Sequence, residues 1–375
     1  MSDAPAIEPG VYARMPFEQY LRIPALSSSG INNLLVSPGT FWANSWLNPD
    51  RNDEDTTARR IGRAFHMARL EPDRFAATYR PELRKGDFEI ATHEQIKAEL
   101  AARGLPQTAK GERVLEAALR LREAGYGAPI WHLELDEWER DANGRDSLPA
   151  DTFDEIVRDA ERLRLDADIA GLLDDGWPEV SVVWRDDHGT LWKARFDFVS
   201  ARALVDVKTF SNPYGKPLDR CIRDAIQFNR YYVQAALYFD VAERIRAGVI
   251  GAGEEASQPV VDALRGAMGP MEFWWIFQET GGIPNVLARQ FRMTLDVHPH
   301  HLAQEPTPES AEEFARKLQT PSFLLRKARD QIAGAASLYR RAMEIWGTEE
   351  PWGTMMPVND IGDEDFSPYF FEADA

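Results

Sequence analysis

Apolar and polar residues recur along this chain with two periods, and the change of period divides it. In the first half the spacing is helical. Ser27-Ser28-Ser29-Gly30 leads into Ile31, Leu34 and Leu35, so a serine cap is expected to open a short helix. After the charged stretch DRNDEDTT (50–57), Asp55 or Thr56 can cap a helix carrying Ile61, Ala64, Phe65 and Ala68 on one face. That helix should stop near Glu71-Pro72, because a residue before proline is pushed out of helical geometry. EQIKAELAARG (94–104) and GERVLEAALRLREAG (111–125) read as amphipathic helices, each closed by glycine. IWHLELDEW (130–138) alternates enough to predict a strand, and DTFDEIVRDAERLRL (151–165) a helix with an acidic cap.

From residue 178 the period falls to two. EVSVVW (179–184), TLWKARFDFV (190–199) and ALVDVKTF (203–210) predict three strands joined by the turns DDHG and SAR, an antiparallel meander. Residues 219–247 predict one long helix. MEFWWIFQE (271–279) predicts a buried strand, RQFRMTLDV (289–297) another, and about 308–346 a helical stretch. Helices around a central mixed sheet give an α/β fold class. No internal repeat or low-complexity tract interrupts the pattern.

Composition narrows the setting. The 375 residues are 44% hydrophobic and 28% charged, as in globular proteins. No apolar run of about 18 residues predicts a membrane helix, and MSDAPAIEPG lacks the layout of a signal peptide. The single cysteine, Cys221, excludes an intrachain disulfide framework and any four-cysteine metal site. A reducing cytoplasm fits. The formal net charge is -18, part of it from an acidic tail after Gly347 that contains no Lys or Arg. A polyanion partner therefore requires a local basic groove on an acidic body.

The meander carries the chemistry. Asp206 and Lys208 are two apart in a strand and share a face, a carboxylate beside an ammonium. Such a pair can hold a cation and orient water, and taken alone it also fits a surface ion pair. Asp197 lies on the preceding strand, and the SAR turn should bring it near Asp206. Two acids among Phe196, Phe198, Val199 and Val205 are poor choices for a core and suit equally a shared cation or solvent-facing positions beside the turn. Gly62 and His66 share one helix face: glycine allows close approach of another backbone, and histidine can ligate metal, though taken alone it fits better a hydrogen-bonded core histidine. Gln234 and Tyr238, four apart, share another, which taken alone fits better a polar pair between packed elements.

Taken in order, GRAFHMARLEPDRF (62–75), PEVSVVW (178–184), ARFDFV (194–199), VDVKT (205–209) and RYYVQAALY (230–238) resemble the PD-(D/E)XK nuclease superfamily. The likeness is to its RecE-like (exonuclease VIII) phage and prophage branch, with lambda exonuclease and the RecB nuclease domain more distant. SSSGINNLL (27–35) is similar to the family's N-terminal element, and the likeness spans roughly residues 10–295. It departs at the proline of the motif, where Phe196 stands.

The resemblance implies a restriction-endonuclease-like core over residues 1–346, with a helical insertion at about 81–148 and an acidic tail over 347–375. It implies Mg2+ or Mn2+ held by His66, Asp197, Asp206 and the Val207 carbonyl. Lys208 would be the catalytic lysine, Glu179 a nearby acid, and Gln234 and Tyr238 would support the site. Ser28, Ser29, Arg59, Arg63 and Arg230 are the expected DNA contacts, with Arg60, Arg220 and Arg223 as further candidates. The implied activity is 5′→3′ degradation of one strand from double-stranded DNA ends, by a ring-shaped homo-oligomer. A single-strand annealing protein is a possible partner for the aromatic, acidic tail. The alternative is an inactive binding protein that keeps the fold; retention of His66, Asp197, Asp206 and Lys208 together argues against it. Cas4-like and AddB-like iron–sulfur relatives are excluded by the cysteine count. A zinc site on His298, His300 and His301 is disfavoured by Pro299 within a loop-like cluster.

Overall fold

The computed structural model describes residues 7–52, 54–107, 111–280, 285–294 and 320–353. The chain opens with strand β1 (Gly10–Tyr12) and helices α1 (Phe17–Arg22), α2 (Ser28–Leu34) and α3 (Pro38–Asn44). Helix α4 (Thr57–Leu70) turns at Glu71 into α5 (Pro72–Thr78). Strand β2 (Tyr79–Pro81) leads to α6 (His93–Ala102), α7 (Val114–Glu123) and α8 (Trp131–Arg140), and β3 (Asp146–Leu148) returns to α9 (Ala150–Leu163) and α10 (Ala167–Leu172). The meander follows as β4 (Gly176–Arg185), β5 (Leu191–Ser200) and β6 (Ala203–Phe210). Then come α11 (Leu218–Phe228), α12 (Tyr231–Arg246), α13 (Gln258–Gly266), β7 (Glu272–Glu279), β8 (Val286–Gln290) and α14 (Phe323–Trp346).

The fold is mixed α/β, with a central six-stranded sheet in the order β1-β4-β5-β6-β7-β8. Within this sheet, among the described residues, only β6 and β7 pair in parallel, because α11, α12 and α13 lie between them in sequence and form the crossover. One face buries α12, with Val233, Ala236, Leu237 and Val241 against Val180, Phe196, Leu204 and Phe273. On the other face, Leu70 of α4, Leu163 of α9 and Ile169 of α10 pack on Phe198, Val205, Val207 and Ile276. Both faces of the central strands are covered, so β6 and β7 read as near-continuous apolar runs interrupted at Asp206 and Lys208.

Residues 81–148 leave and return through a neck, where β2 and β3 pair in parallel at Tyr79↔Asp146 and Pro81↔Leu148. Between them α6 and α7 bury Ile96, Leu100, Ala117, Ala118 and Leu121 in a core of their own.

Several expectations are corrected. IWHLELDEW is helix α8, not a strand: Ile130 is its extended cap residue, Leu133 packs on the α6–α7 core and Trp138 donates to the Pro81 carbonyl. Residues 219–247 form two helices, because Arg230 adopts left-handed geometry (φ 52°) between them. Of the two caps expected for α4, the structure selects Thr56, whose side chain accepts the Arg59 N–H. Helix α9 has Pro149 at its cap position and no capping side chain; Asp151 lies in its first turn and pairs with Arg84. Strand β8 ends at Gln290, short of the predicted 297, whereas the described part of the predicted 308–346 helical stretch is helical as α14 from Phe323. Residues 308–319, His298, His300, His301 and the tail from 354 lie outside the described residues.

Candidate functional site

The site lies where the meander's regularity fails. In β4, Trp177 and Val180 both pack toward α12, and in β5 Phe196 and Val199 do the same. Strict alternation would place residues three apart on opposite faces. The flip falls at Glu179 and Asp197, which face each other across the hairpin without pairing. Its source is Glu179, whose φ of 56° is left-handed. Both carboxylates thereby turn toward α4.

His66 on α4 receives them. Its Nδ1 lies 2.7 Å from Glu179 Oε1 and its Nε2 2.9 Å from Asp197 Oδ2. Asp197 Oδ2 also accepts the Val207 N–H at 2.8 Å. A continuous ladder would give that N–H to a carbonyl, but the β5–β6 pairing stops after Phe198↔Val205 and Val199↔Leu204. The SAR turn thus brings the strands together, and a carboxylate then holds them where they part.

On the α12 side of β6, Asp206 is 1% exposed. Its Oδ1 accepts from Lys208 Nζ at 2.9 Å and from Gln234 Nε2 at 3.0 Å. Its Oδ2 is buried without a hydrogen bond of acceptable geometry, its charged neighbour being Lys208 Nζ at 2.8 Å. The Lys208 ammonium lies 5.0 Å from the centre of the Tyr231 ring. The Tyr238 hydroxyl stands beside Gln234 and Ser28 and is influenced by both. Ser28 thus lies near this group, whereas Ser29 bonds back to the capping Ser27.

Burial sets the electrostatics, and the partners modify it. Burial alone would depress the His66 imidazole; the adjoining Asp197 and Glu179 carboxylates overcome it and raise the ring to about 10. Burial opposes ionisation of Asp197, yet His66, Lys208 and the Val207 N–H hold it below the usual carboxylate range. Asp206 is pushed up by burial and by Asp197, against the pull of Lys208. Lys208, despite burial, is raised by Asp206 and Asp197 and remains an ammonium.

The remaining expected residues are spread around this centre. Arg63 forms a two-pronged contact with Asp55, and Arg59 donates to the Glu54 carbonyl. Gly62 needs no close-packed backbone, since a Cβ there would meet nothing within 4 Å. This corrects the expectation of close approach. Charge concentrates near the site: α4 holds Arg59, Arg60, Arg63 and Arg69 and no acid. Residues 208–230 hold Lys208, Lys216, Arg220, Arg223 and Arg230 against Asp219 and Asp224. Sequence reasoning passed over Arg195 and Tyr231. Arg195 had a signal, a charge between Ala194 and Phe196 in an apolar strand; it is 7% exposed and donates to Glu179.

No protein-family model and no curated protein matches this chain. Among solved structures, a match is a Eubacterium rectale protein named "Putative exonuclease". The two share 14% identity over 86% of this chain and 88% of that one, with a TM-score of 0.40. Among the described residues, no helix is long and apolar enough to cross a membrane.

Proposed function

We propose that this chain is a metal-dependent DNA nuclease of the PD-(D/E)XK class that degrades linear duplex DNA from its ends. The observation that carries the reading is convergence. His66, Glu179, Asp197, Asp206, Lys208 and Gln234 come from α4, β4, β5, β6 and α12 and form two adjoining polar groups, His66–Glu179–Asp197 and Asp206–Lys208–Gln234, joined through the Val207 N–H that Asp197 accepts and by the pull of the Asp197 charge on Asp206 and Lys208. A buried cluster of two aspartates has no packing value, since apolar residues of similar size cost less to bury.

The donor set fits a hard divalent cation. Asp197, Asp206, the Val207 carbonyl and His66 would hold Mg2+, with Mn2+ as a substitute. Among the described residues no three His, Cys, Asp or Glu side chains are already arranged around an ion. Both His66 nitrogens face carboxylates, so ligation requires Nε2 to give up the proton it shares with Asp197. A bound cation would polarise the scissile phosphate and lower the pKa of an attacking water.

The chain's own groups supply the rest. Lys208, kept charged by two carboxylates, steadies negative charge developing on the phosphate and orients the water. Gln234 holds the Asp206 carboxylate in one rotamer. Tyr238 lies beside Gln234 and Ser28, the residue that opens α2. The arginines of α4 and the basic residues of 208–230 provide a local positive potential beside the site, despite the net charge of -18. Arg59, Arg63, Arg230, Ser28 and Ser29 are the proposed phosphate contacts. The 5′→3′ polarity, a ring-shaped homo-oligomer, a strand-annealing partner and a role in phage-type recombination follow from the RecE-like resemblance.

The test is digestion of linear duplex DNA bearing 5′-phosphate or 5′-hydroxyl ends, with Mg2+, with EDTA, and with Asp206→Ala. Metal-dependent loss of one strand, absent in the variant, is expected. Intact DNA after incubation of folded wild-type protein with Mg2+ or Mn2+ overturns the proposal.

A further inference from the structure

Two cations are buried two residues apart on β5. Lys193 donates to the carbonyls of Tyr20, Leu21 and Ile23 at 3.0, 3.2 and 2.8 Å, so it anchors the end of α1 to the sheet. Arg195 also reaches this N-terminal segment, donating from Nη1 to the Met15 carbonyl at 2.9 Å. Its Nη1 meets Ser181 Oγ at 2.8 Å, and its Nε donates to Glu179 Oε2. Both are buried and both hold residues 15–23 in place. Only Arg195 extends its contacts to the site.

Glu179 uses its two oxygens differently. Oε2 takes the Arg195 donor and Oε1 faces His66 Nδ1. A glutamate in left-handed backbone geometry is unfavourable, and it persists only where surroundings over-determine it. Arg195 is that surrounding group: a planar fork fixed at three points leaves the Glu179 carboxylate one orientation. A histidine whose Nδ1 is held by a carboxylate presents Nε2 in one direction, the arrangement that tunes metal-binding histidines.

We propose that Arg195 is a positioning residue of this site: it fixes the Glu179 carboxylate, which fixes the ring of His66 and the direction of Nε2. This rests on reading His66 as a metal-binding residue. The chain of contacts also makes Met15 part of the site's support, since its carbonyl holds one prong of the fork.

The test compares Arg195→Met, Arg195→Lys and Lys193→Met with wild type. Three quantities are measured: melting temperature, the slowly exchanging Nδ1 proton of His66 by NMR without added metal, and Mn2+ affinity by titration. Arg195→Met should lose the His66 proton signal and weaken Mn2+ binding by about 10- to 100-fold. Lys193→Met should lower the melting temperature yet keep signal and affinity. Arg195→Lys keeps the buried charge without the fork, so it should fold and still shift the signal; if Arg195→Met does not fold, this variant decides. A wild-type His66 signal in a folded Arg195 variant overturns the inference, as does equal loss in Lys193→Met. Should wild type neither bind Mn2+ nor cut DNA, the proposed function fails, while the NMR comparison still judges the Arg195 contact.

Discussion

The two ends of the β4–β5 hairpin are built on opposite principles. At the turn end, the ladder runs unbroken through Val182↔Ala194, Val183↔Lys193, Trp184↔Trp192 and Arg185↔Leu191. Trp184 and Trp192 stack there at 5.9 Å, and Asp186 caps the turn by accepting the Trp192 indole N–H at 3.0 Å. At the other end alternation breaks, Glu179 is in unfavourable backbone geometry, and Asp197 replaces a ladder carbonyl. One end is locally optimal and the other is not. The difference shows where the fold gives up regular pairing and apolar burial to keep charged groups together.

The sharpest way to break this comparison is at Asp206. Asp206→Asn preserves shape and the Gln234 contact but not the charge, so DNA hydrolysis should fall by about 10³-fold, with little change in melting temperature. Retained activity in a digestion assay would remove Asp206 from the site. The converse change is Trp192→Ala at the regular end. It should cost about 3–5 kcal/mol of stability by denaturant unfolding while the folded fraction keeps wild-type specific activity.

A third prediction concerns pH. His66 has a folded pKa raised to about 10 by Asp197 and Glu179 after burial has opposed it. A raised pKa gives stability that is whole below the unfolded value, about 6.5, and is lost as pH rises through about 10. Melting temperature in EDTA should therefore decline over that alkaline range, and His66→Asn should flatten the decline. An identical decline in both proteins would assign it elsewhere. Asp197, held low, contributes in the opposite sense, with stability lost as pH falls below the ordinary carboxylate range.

The smallest effect is expected at the helix break. Arg230→Gly relieves a left-handed residue and should raise stability by about 1 kcal/mol. If Arg230 touches a phosphate, the same variant should bind DNA more weakly and reduce the salt dependence by about one contact. Unchanged DNA affinity at all salt concentrations would remove Arg230 from the interface.

The α/β class, the meander and helix α4 were legible from local pattern because their periodicity and burial agree. Val180, Val182 and Trp184 alternate and are buried together. Helix α8 misled because Trp131, Leu133 and Leu135 alternate over a few residues, while contacts of Ile130 and Leu133 with the distant α6–α7 core decide its packing. The break at Arg230 left no mark, since no Gly or Pro stands there and tertiary packing imposes the left-handed residue.

The sequence alone determined which chemical groups are available: His66, Glu179, Asp197, Asp206, Lys208, Gln234 and Tyr238, at spacings that put Asp206 with Lys208 and Gln234 with Tyr238. Only the tertiary structure decided that β4 and β5 flip their alternation at Glu179 and Asp197, that Val207 donates to a carboxylate, and that Arg195 governs Glu179. The reason is physical. Spacing fixes neighbours within one element, whereas the orientation of a charged group in an apolar interior is set by the partners that other elements bring to it.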